Sequence, residues 1–361
     1  MSMNKASETE IELKFLLGQV IEVKAVTELL HTQNFSFEQS AGKLKNSYFD
    51  TPALDLARND IGVRIRSGEN LHEQTVKTAG RVLSALHQRP EYNLALDSEE
   101  TLPKLQLFPA AIWPDGVDIV QIQQALTVIF TTGFYRTTWK ITDKHGVVIE
   151  LVLDSGTIES QGRQAAIAEF ELELLSGKGA PAMEMLFELA NLLLGSFKLR
   201  PGVKSKAARG YALSLGAPQS KPETFSRQGL SASALADRES FYAHLDSALK
   251  QLQLGVEYCL SSTSPKRLAA VSEPLLFLEQ IFRLAPESLV VANGELATSV
   301  KLVVGLYSAL ELQLERAGCD GKTGAGYNSL LQEFCYEQAF NRLQLALLKV
   351  LIDRELLPDG T

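Results

Sequence analysis

Residues 8–15, Glu-Thr-Glu-Ile-Glu-Leu-Lys-Phe, alternate charged and apolar side chains almost without a break. A strand points successive side chains to opposite faces. Glu8, Glu10, Glu12 and Lys14 therefore share one face, and Ile11, Leu13 and Phe15 share the other with Thr9. A single segment of this kind reads as an edge strand with its charges in water, but the pattern recurs. Arg64 and Arg66 share a face, as do Thr75 and Lys77, Arg89 and Glu91, and Glu150 and Asp154. Glu169, Glu171 and Glu173 line one face of another segment, with Phe170, Leu172 and Leu174 opposite. An ordinary sheet would lay the apolar face on a core and leave the charges in water. A closed barrel would turn them into a polar lumen and cover its apolar outside with helices. Periodicity is compatible with both. The grouping of the charges says more: acids sit on some strands and arginines on others, unlike the loose mixture of a solvated face.

The same grammar extends to about residue 213. Strand-like alternation appears at 8–15, 61–66, 73–77, 87–96, 133–142, 147–154 and 168–174, and helical spacing at 20–33, 118–126 and 182–194. The stretch 216–229, GAPQSKPETFSRQG, is polar and broken by prolines and glycines, as a linker is. Beyond it the strand signals stop. Segments 231–260, 266–284, 295–317 and 327–351 carry apolar residues three and four apart, which predicts four helices in a small antiparallel bundle. The expected organisation is α+β: an N-terminal domain over 1–213, a linker over 214–230 and an all-α domain over 231–361.

Composition excludes several classes. No apolar run approaches the roughly 20 residues that cross a bilayer. The opening MSMNKASETEIELKF lacks the apolar centre of a signal peptide, so a cytoplasmic protein with no membrane partner is expected. Cys259, Cys319 and Cys335 form no CxxC pair and suit reduced thiols. The five histidines are not spaced as zinc ligands. A net charge of −8 argues against nucleic acid as a partner.

What the charged faces suit is a polyanion. A linear triphosphate needs several cations, and the planar fork of arginine binds two phosphate oxygens at once. Lys14, Arg64, Arg66, Lys77, Arg89, Arg136 and Lys206 are the candidate cradle. Hard cations such as Mg²⁺ or Mn²⁺ prefer carboxylate oxygens. Glu10 and Glu12, the Glu169, Glu171 and Glu173 set, and Glu150 with Asp154 are the candidate donors. The sequence holds no phosphate-binding glycine loop of the GxxxxGK[ST] or GxGxxG kind, no HExxH and no GxSxG. Ser205 beside Lys206 reads as a surface turn.

Taken in order, these residues resemble the CYTH, or triphosphate tunnel metalloenzyme, family. Glu10-Ile11-Glu12-Leu13-Lys14 matches its ExExK signature. The match continues through Tyr48-Phe49-Asp50-Thr51, Arg64-x-Arg66, Thr75-x-Lys77, Arg89-x-Glu91, Arg136, Glu150, Asp154 and the acidic strand from Glu169 to Glu173. It ends with Ser205-Lys206 before Arg209-Gly210-Tyr211. The segment 79–96, AGRVLSALHQRPEYNLAL, is similar to bacterial inorganic triphosphatases of this family, which carry a helical CHAD domain C-terminally. The resemblance implies an eight-stranded antiparallel tunnel that hydrolyses tripolyphosphate to pyrophosphate and phosphate with Mg²⁺ or Mn²⁺. It implies metal ligands at Glu10, Glu12, Glu169 and Glu171 with Asp154, and phosphate ligands at Lys14, Arg64, Arg66, Lys77, Arg89, Arg136 and Lys206. Glu10, Glu12, Lys14, Asp154 and Lys206 make up the expected catalytic set.

CHAD domains are associated with polyphosphate through basic helices and histidines. Residues 216–361 instead hold 13 basic and 17 acidic residues and one histidine, His244. A degenerate or truncated bundle with a stabilising or self-associating role is expected. Two alternatives stand beside tripolyphosphate hydrolysis. One is an organic substrate, as in thiamine triphosphatases or class IV adenylate cyclases, for which no aromatic pair beside the charged strands is evident. The other is binding of phosphate polymers without turnover.

Overall fold

The computed structural model describes residues 8–216, 230–264, 267–316 and 325–356; most of the expected linker and Cys319 lie outside the described residues. Among the described residues ten strands run in chain order as β1 (Glu8–Leu17), β2 (Ser36–Asp50), β3 (Gly62–Gly68), β4 (Leu71–Lys77), β5 (Arg81–Leu83), β6 (Leu86–Ala95), β7 (Thr127–Thr142), β8 (Val148–Ser160), β9 (Arg163–Ser176) and β10 (Leu199–Pro201). The helices are α1 (Val23–Thr32), α2 (Asp55–Arg58), α3 (Ile119–Ala125), α4 (Gly179–Ser196), α5 (Lys206–Leu215), α6 (Arg238–Ser261), α7 (Ala269–Leu284), α8 (Glu287–Ala292), α9 (Gly294–Arg316), α10 (Ala325–Cys335) and α11 (Gln338–Leu356).

Eight of the strands close a barrel in the order β1-β9-β8-β7-β2-β3-β4-β6, with β6 returning to β1. Closure decides between the two arrangements left open by periodicity. Phe49, Val63, Ile65 and Val76 face outward into a core with Leu105, Phe108 and, around α3, Ile122 and Leu126. The residues between them, Tyr48, Arg64, Thr75 and Lys77, face inward. On another side Trp139 is fully buried, and its indole Nε1 donates to Thr27 Oγ1 of α1 at 3.1 Å. It is a packing residue whose polar edge is satisfied.

The barrel strand absent from the sequence reading is β2; the three-residue strands β5 and β10 were not read either. Strand β2 pairs along its whole length with β7 and at its end with β3. Its first ten residues, SFEQSAGKLK, are mostly exposed and present no apolar face, so alternation gives no signal there.

The chain divides into two compact units. The first is Met1–Phe15, Ile21–Gly177 and Lys204–Pro218; the second is Leu16–Val20, Lys178–Val203 and Gln219–Thr361. Helix α4 is therefore grouped with the C-terminal helices: it packs on α11, where Gln338 Nε2 donates to the Leu194 carbonyl at 3.0 Å. Within this unit Arg200 is buried and pairs with Glu257, and its Nε donates to the Tyr336 hydroxyl at 3.2 Å. The segment expected as one helix over 327–351 is two, α10 and α11, broken at Tyr336 and Glu337. Asn341 Nδ2 donates to the carbonyls of Cys335 and Glu337, which satisfies groups that the break exposes. The apolar spacing runs through the break and does not reveal it.

Candidate functional site

Strand register brings the expected site residues into the barrel lumen from almost every wall. Across β7, β8 and β9, Arg136 lies opposite Asp154, and Asp154 opposite Glu169. Across β2, β3 and β4, Asn46 lies opposite Arg66, Tyr48 opposite Arg64, and Arg64 opposite Thr75. Across β4, β6 and β1, Lys77 faces Glu91, and His87 faces Glu12.

One oxygen from each of Asp154, Glu169 and Glu171 lies within 4.8 Å of the others. Four cations surround this trio. Arg136 holds Asp154 with two bonds of 2.7 Å and reaches Glu171 at 2.9 Å. Lys14 pairs with Glu171, with Glu169 at 3.4 Å and with Glu12 at 3.2 Å. Lys206 pairs with Glu169, with Asp154 at 2.7 Å and with Glu171 at 2.9 Å. Arg209 holds the other oxygen of Glu169 at 2.7 Å. Burial alone would raise the acids, but Lys206 and Arg136 keep Asp154 below its ordinary range, and Lys14, Lys206 and Arg136 keep Glu171 well below it.

A second acidic group lies around Lys77, which pairs with Glu10 at 2.5 Å and Glu91 at 2.9 Å. Here the acids crowd one another. Burial pushes Glu10 up to about 7 against the pull of Lys77, with Glu12 and Glu91 adding to it. Burial likewise pushes Glu173 up to about 8, reinforced by Glu10, Glu12 and Glu91. Glu91 goes the other way: Lys77 and Arg64 outweigh its burial. The five expected metal ligands are thus split. Asp154, Glu169 and Glu171 stand together, Glu12 is linked to them through Lys14, and Glu10 belongs with Glu91 and Glu173.

The guanidinium groups are unequally compensated: acids hold Arg64 and Arg136 in their charged form, whereas Arg66 lacks such a partner among the described residues. Burial, with Arg64 and Arg136 nearby, brings Arg66 down to about 10, and its Nε donates to Asn46 Oδ1 at 2.9 Å. Arg64 reaches Glu91 at 3.3 Å, yet its buried Nε has no partner among the described residues. A buried donor without an acceptor is costly, and an anion would satisfy it. Arg89 stands apart: it donates to the Thr78 carbonyl at 3.0 Å and to Asp60, in the turn before β3, at 2.8 Å.

One end of the lumen is lined by aromatics. Tyr48 stacks on Phe130 at 4.4 Å, and Tyr211 of α5 meets Phe130 edge-on at 5.2 Å. Phe134 lies beneath Arg136 and Lys206. An aromatic pair beside the charged strands does exist; the sequence hid it because Tyr48 sits on the unrecognised β2. Tyr211 also donates to Asp50 Oδ2 at 3.1 Å, and Asp50 accepts the backbone N–H groups of Thr51, Leu56 and Ala57. Ser205 proves to be the cap of α5, its hydroxyl accepting the Ala208 N–H at 3.1 Å, so the turn read there opens a helix that aims Lys206 inward.

The chain matches the CYTH domain family over residues 8–211, more than half its length. It belongs to this family. Over 212 residues this CYTH chain is 34% identical to an inorganic triphosphatase of Haemophilus influenzae, covering 56% of the chain and 54% of the relative. It thus spans about half the length of the curated relative it matches. A proposed adenylyl cyclase from Hippeastrum, described as having a dominant triphosphatase activity, is 19% identical, with 56% of this chain and 95% of that chain covered and a TM-score of 0.40. The RNA triphosphatase domain of a mimivirus capping enzyme is 12% identical, with 51% and 88% covered and a TM-score of 0.29. Of the lumen residues in this CYTH chain, sequence reasoning did not single out as functional Asn46, Arg209 or Asn93, which lies opposite Thr75 and accepts its hydroxyl at 2.7 Å. Arg209 had a signal, because it lies one helical turn after Lys206 on the same face. No described helix is long and apolar enough to cross a membrane.

Proposed function

We propose that the barrel hydrolyses inorganic tripolyphosphate to pyrophosphate and phosphate with Mg²⁺ or Mn²⁺. The observation that carries this reading is the meeting, in one lumen, of three crowded guanidinium groups and a buried carboxylate trio, joined through Arg136. The named activity of the Haemophilus relative supports it.

Asp154, Glu169 and Glu171 would hold the divalent ion; three carboxylates are the donor set that hard cations take. When bound, such an ion supplies positive charge against the phosphoryl oxygens. Arg64, Arg66 and Arg136 bind and align the triphosphate, the Arg64 Nε gaining the acceptor it lacks. Lys77 and Lys14 neutralise the acids along the β1 wall. Enclosure strengthens all of these interactions by excluding water. The packing of Tyr48, Phe130 and Tyr211 on one another favours an inorganic substrate, since their faces are already taken.

The test is phosphate release from tripolyphosphate, thiamine triphosphate and ATP with Mg²⁺ or Mn²⁺, alongside an assay for cyclic AMP. Tripolyphosphate should be the fastest substrate, and Asp154→Asn should abolish its turnover. Metal-dependent binding without product would turn the reading to a non-catalytic binder.

A further inference from the structure

The carboxylate trio that suits a divalent ion already has a cation among its oxygens. Lys206 Nζ pairs with all three residues, at 2.7 Å to Asp154 and 2.9 Å to Glu171. Its side chain is 8% exposed. Lys14 also enters the group, but on β1, a strand of the closed barrel. Lys206 comes from the first turn of α5, a ten-residue helix attached at its N-terminus by the trio. Arg209 adds a second tie to Glu169 from the same turn. At the far end Tyr211 bonds to Asp50, and Arg163 donates to the Ser214 carbonyl at 2.7 Å.

An ammonium and a divalent cation repel strongly at such distances in a buried site, and the three carboxylates offer both the same oxygens. We propose that Lys206 is the intramolecular competitor of the metal, and that metal loading therefore opposes docking of the first turn of α5. The inference rests on reading the trio as the metal site. Lys206 then sets the affinity of that site: the tighter α5 is seated, the higher the metal concentration needed to load it. Because coupling between two binding events is reciprocal, anything that loosens α5 tightens metal binding.

The experiment is Mn²⁺ titration of the full chain by calorimetry, with amide exchange across residues 206–215 followed with and without Mn²⁺. Lys206→Met should bind Mn²⁺ at least tenfold more tightly. Tyr211→Phe leaves the trio untouched and keeps the ring against Phe130 while removing the bond to Asp50; it should tighten Mn²⁺ binding several-fold. Mn²⁺ should speed exchange in the first turn of α5 in the unmodified chain. Where Lys206→Met fails to fold, the Tyr211→Phe and exchange results decide. Unchanged or weaker Mn²⁺ binding by the folded variants, or slower exchange in that turn, would overturn the inference while leaving the metal site intact. No Mn²⁺ binding by the parent would remove the site and this inference with it.

Discussion

Three guanidinium groups held in one lumen repel one another, and the repulsion registers most clearly at Arg66, brought down to about 10 by burial and by Arg64 and Arg136. A charge kept where the fold disfavours it is expected to serve binding rather than stability. Arg66→Ala should therefore lower kcat/KM for tripolyphosphate by about tenfold to a hundredfold, the span expected for one charge-assisted hydrogen bond. Its melting temperature should be unchanged or higher. A clear loss of stability with normal kinetics would assign Arg66 a structural role instead. Glu173 gives the complementary prediction. Its carboxyl is raised from 4.5 to about 8 by burial and by Glu10, Glu12 and Glu91, so between those values the folded chain holds a proton that the unfolded chain has released. Stability from this group is present below about 4.5 and is lost as pH rises through about 8. The metal-free protein should melt at progressively lower temperature across that window, and Glu173→Gln should flatten the dependence. A Glu173→Gln profile as steep as the parent's would locate the titration elsewhere.

Among elements, legibility followed the apolar face. Strands β1 and β9 were readable because Leu13 and Phe15, or Phe170 and Leu172, mark one side and acids the other. Strand β2 was not, since solvent lies along much of it, and with it Asn46 and the aromatic role of Tyr48 went unseen. Arg89 shares a strand face with Glu91, but its guanidinium is turned to Asp60 by contacts that spacing does not encode. Helix α5 was hidden for another reason: it is short, and Gly210 weakens any helix signal. That glycine is required by packing. A Cβ there would come within 2.1 Å of the buried Phe130 ring. In a free helix Gly→Ala stabilises by about 1 kcal/mol. Here Gly210→Ala should instead cost roughly 1–3 kcal/mol, as overpacking does, measurable by urea denaturation. Stabilisation by this change would mean that α5 does not pack on Phe130 as described.

At the scale of the whole molecule, the order of segments along the chain and their grouping in space diverge. Helix α4 lies between β9 and β10, both short of residue 213, yet it belongs to the compact unit that holds α6 to α11. Amphipathic spacing shows that a helix has a face to bury and does not name the partner. The partner includes α11: Gln338 bonds to Leu194, and Arg342 lies against Gly195. Nine α4 residues are buried, among them Met183, Leu186, Leu189 and Leu193. A chain ended at Gly216 would retain α4 and lose α11, leaving part of that apolar surface in water at about 25 cal/mol per Å². Exposed patches of this kind drive association. The shortened chain should thus precipitate or form large assemblies on size exclusion, even though every barrel strand is present. Replacing its α4 leucines and methionines that meet α11 with polar residues should restore a discrete species. If the shortened chain is monodisperse and melts like the parent, the α4–α11 packing contributes nothing to stability and the C-terminal helices need another role.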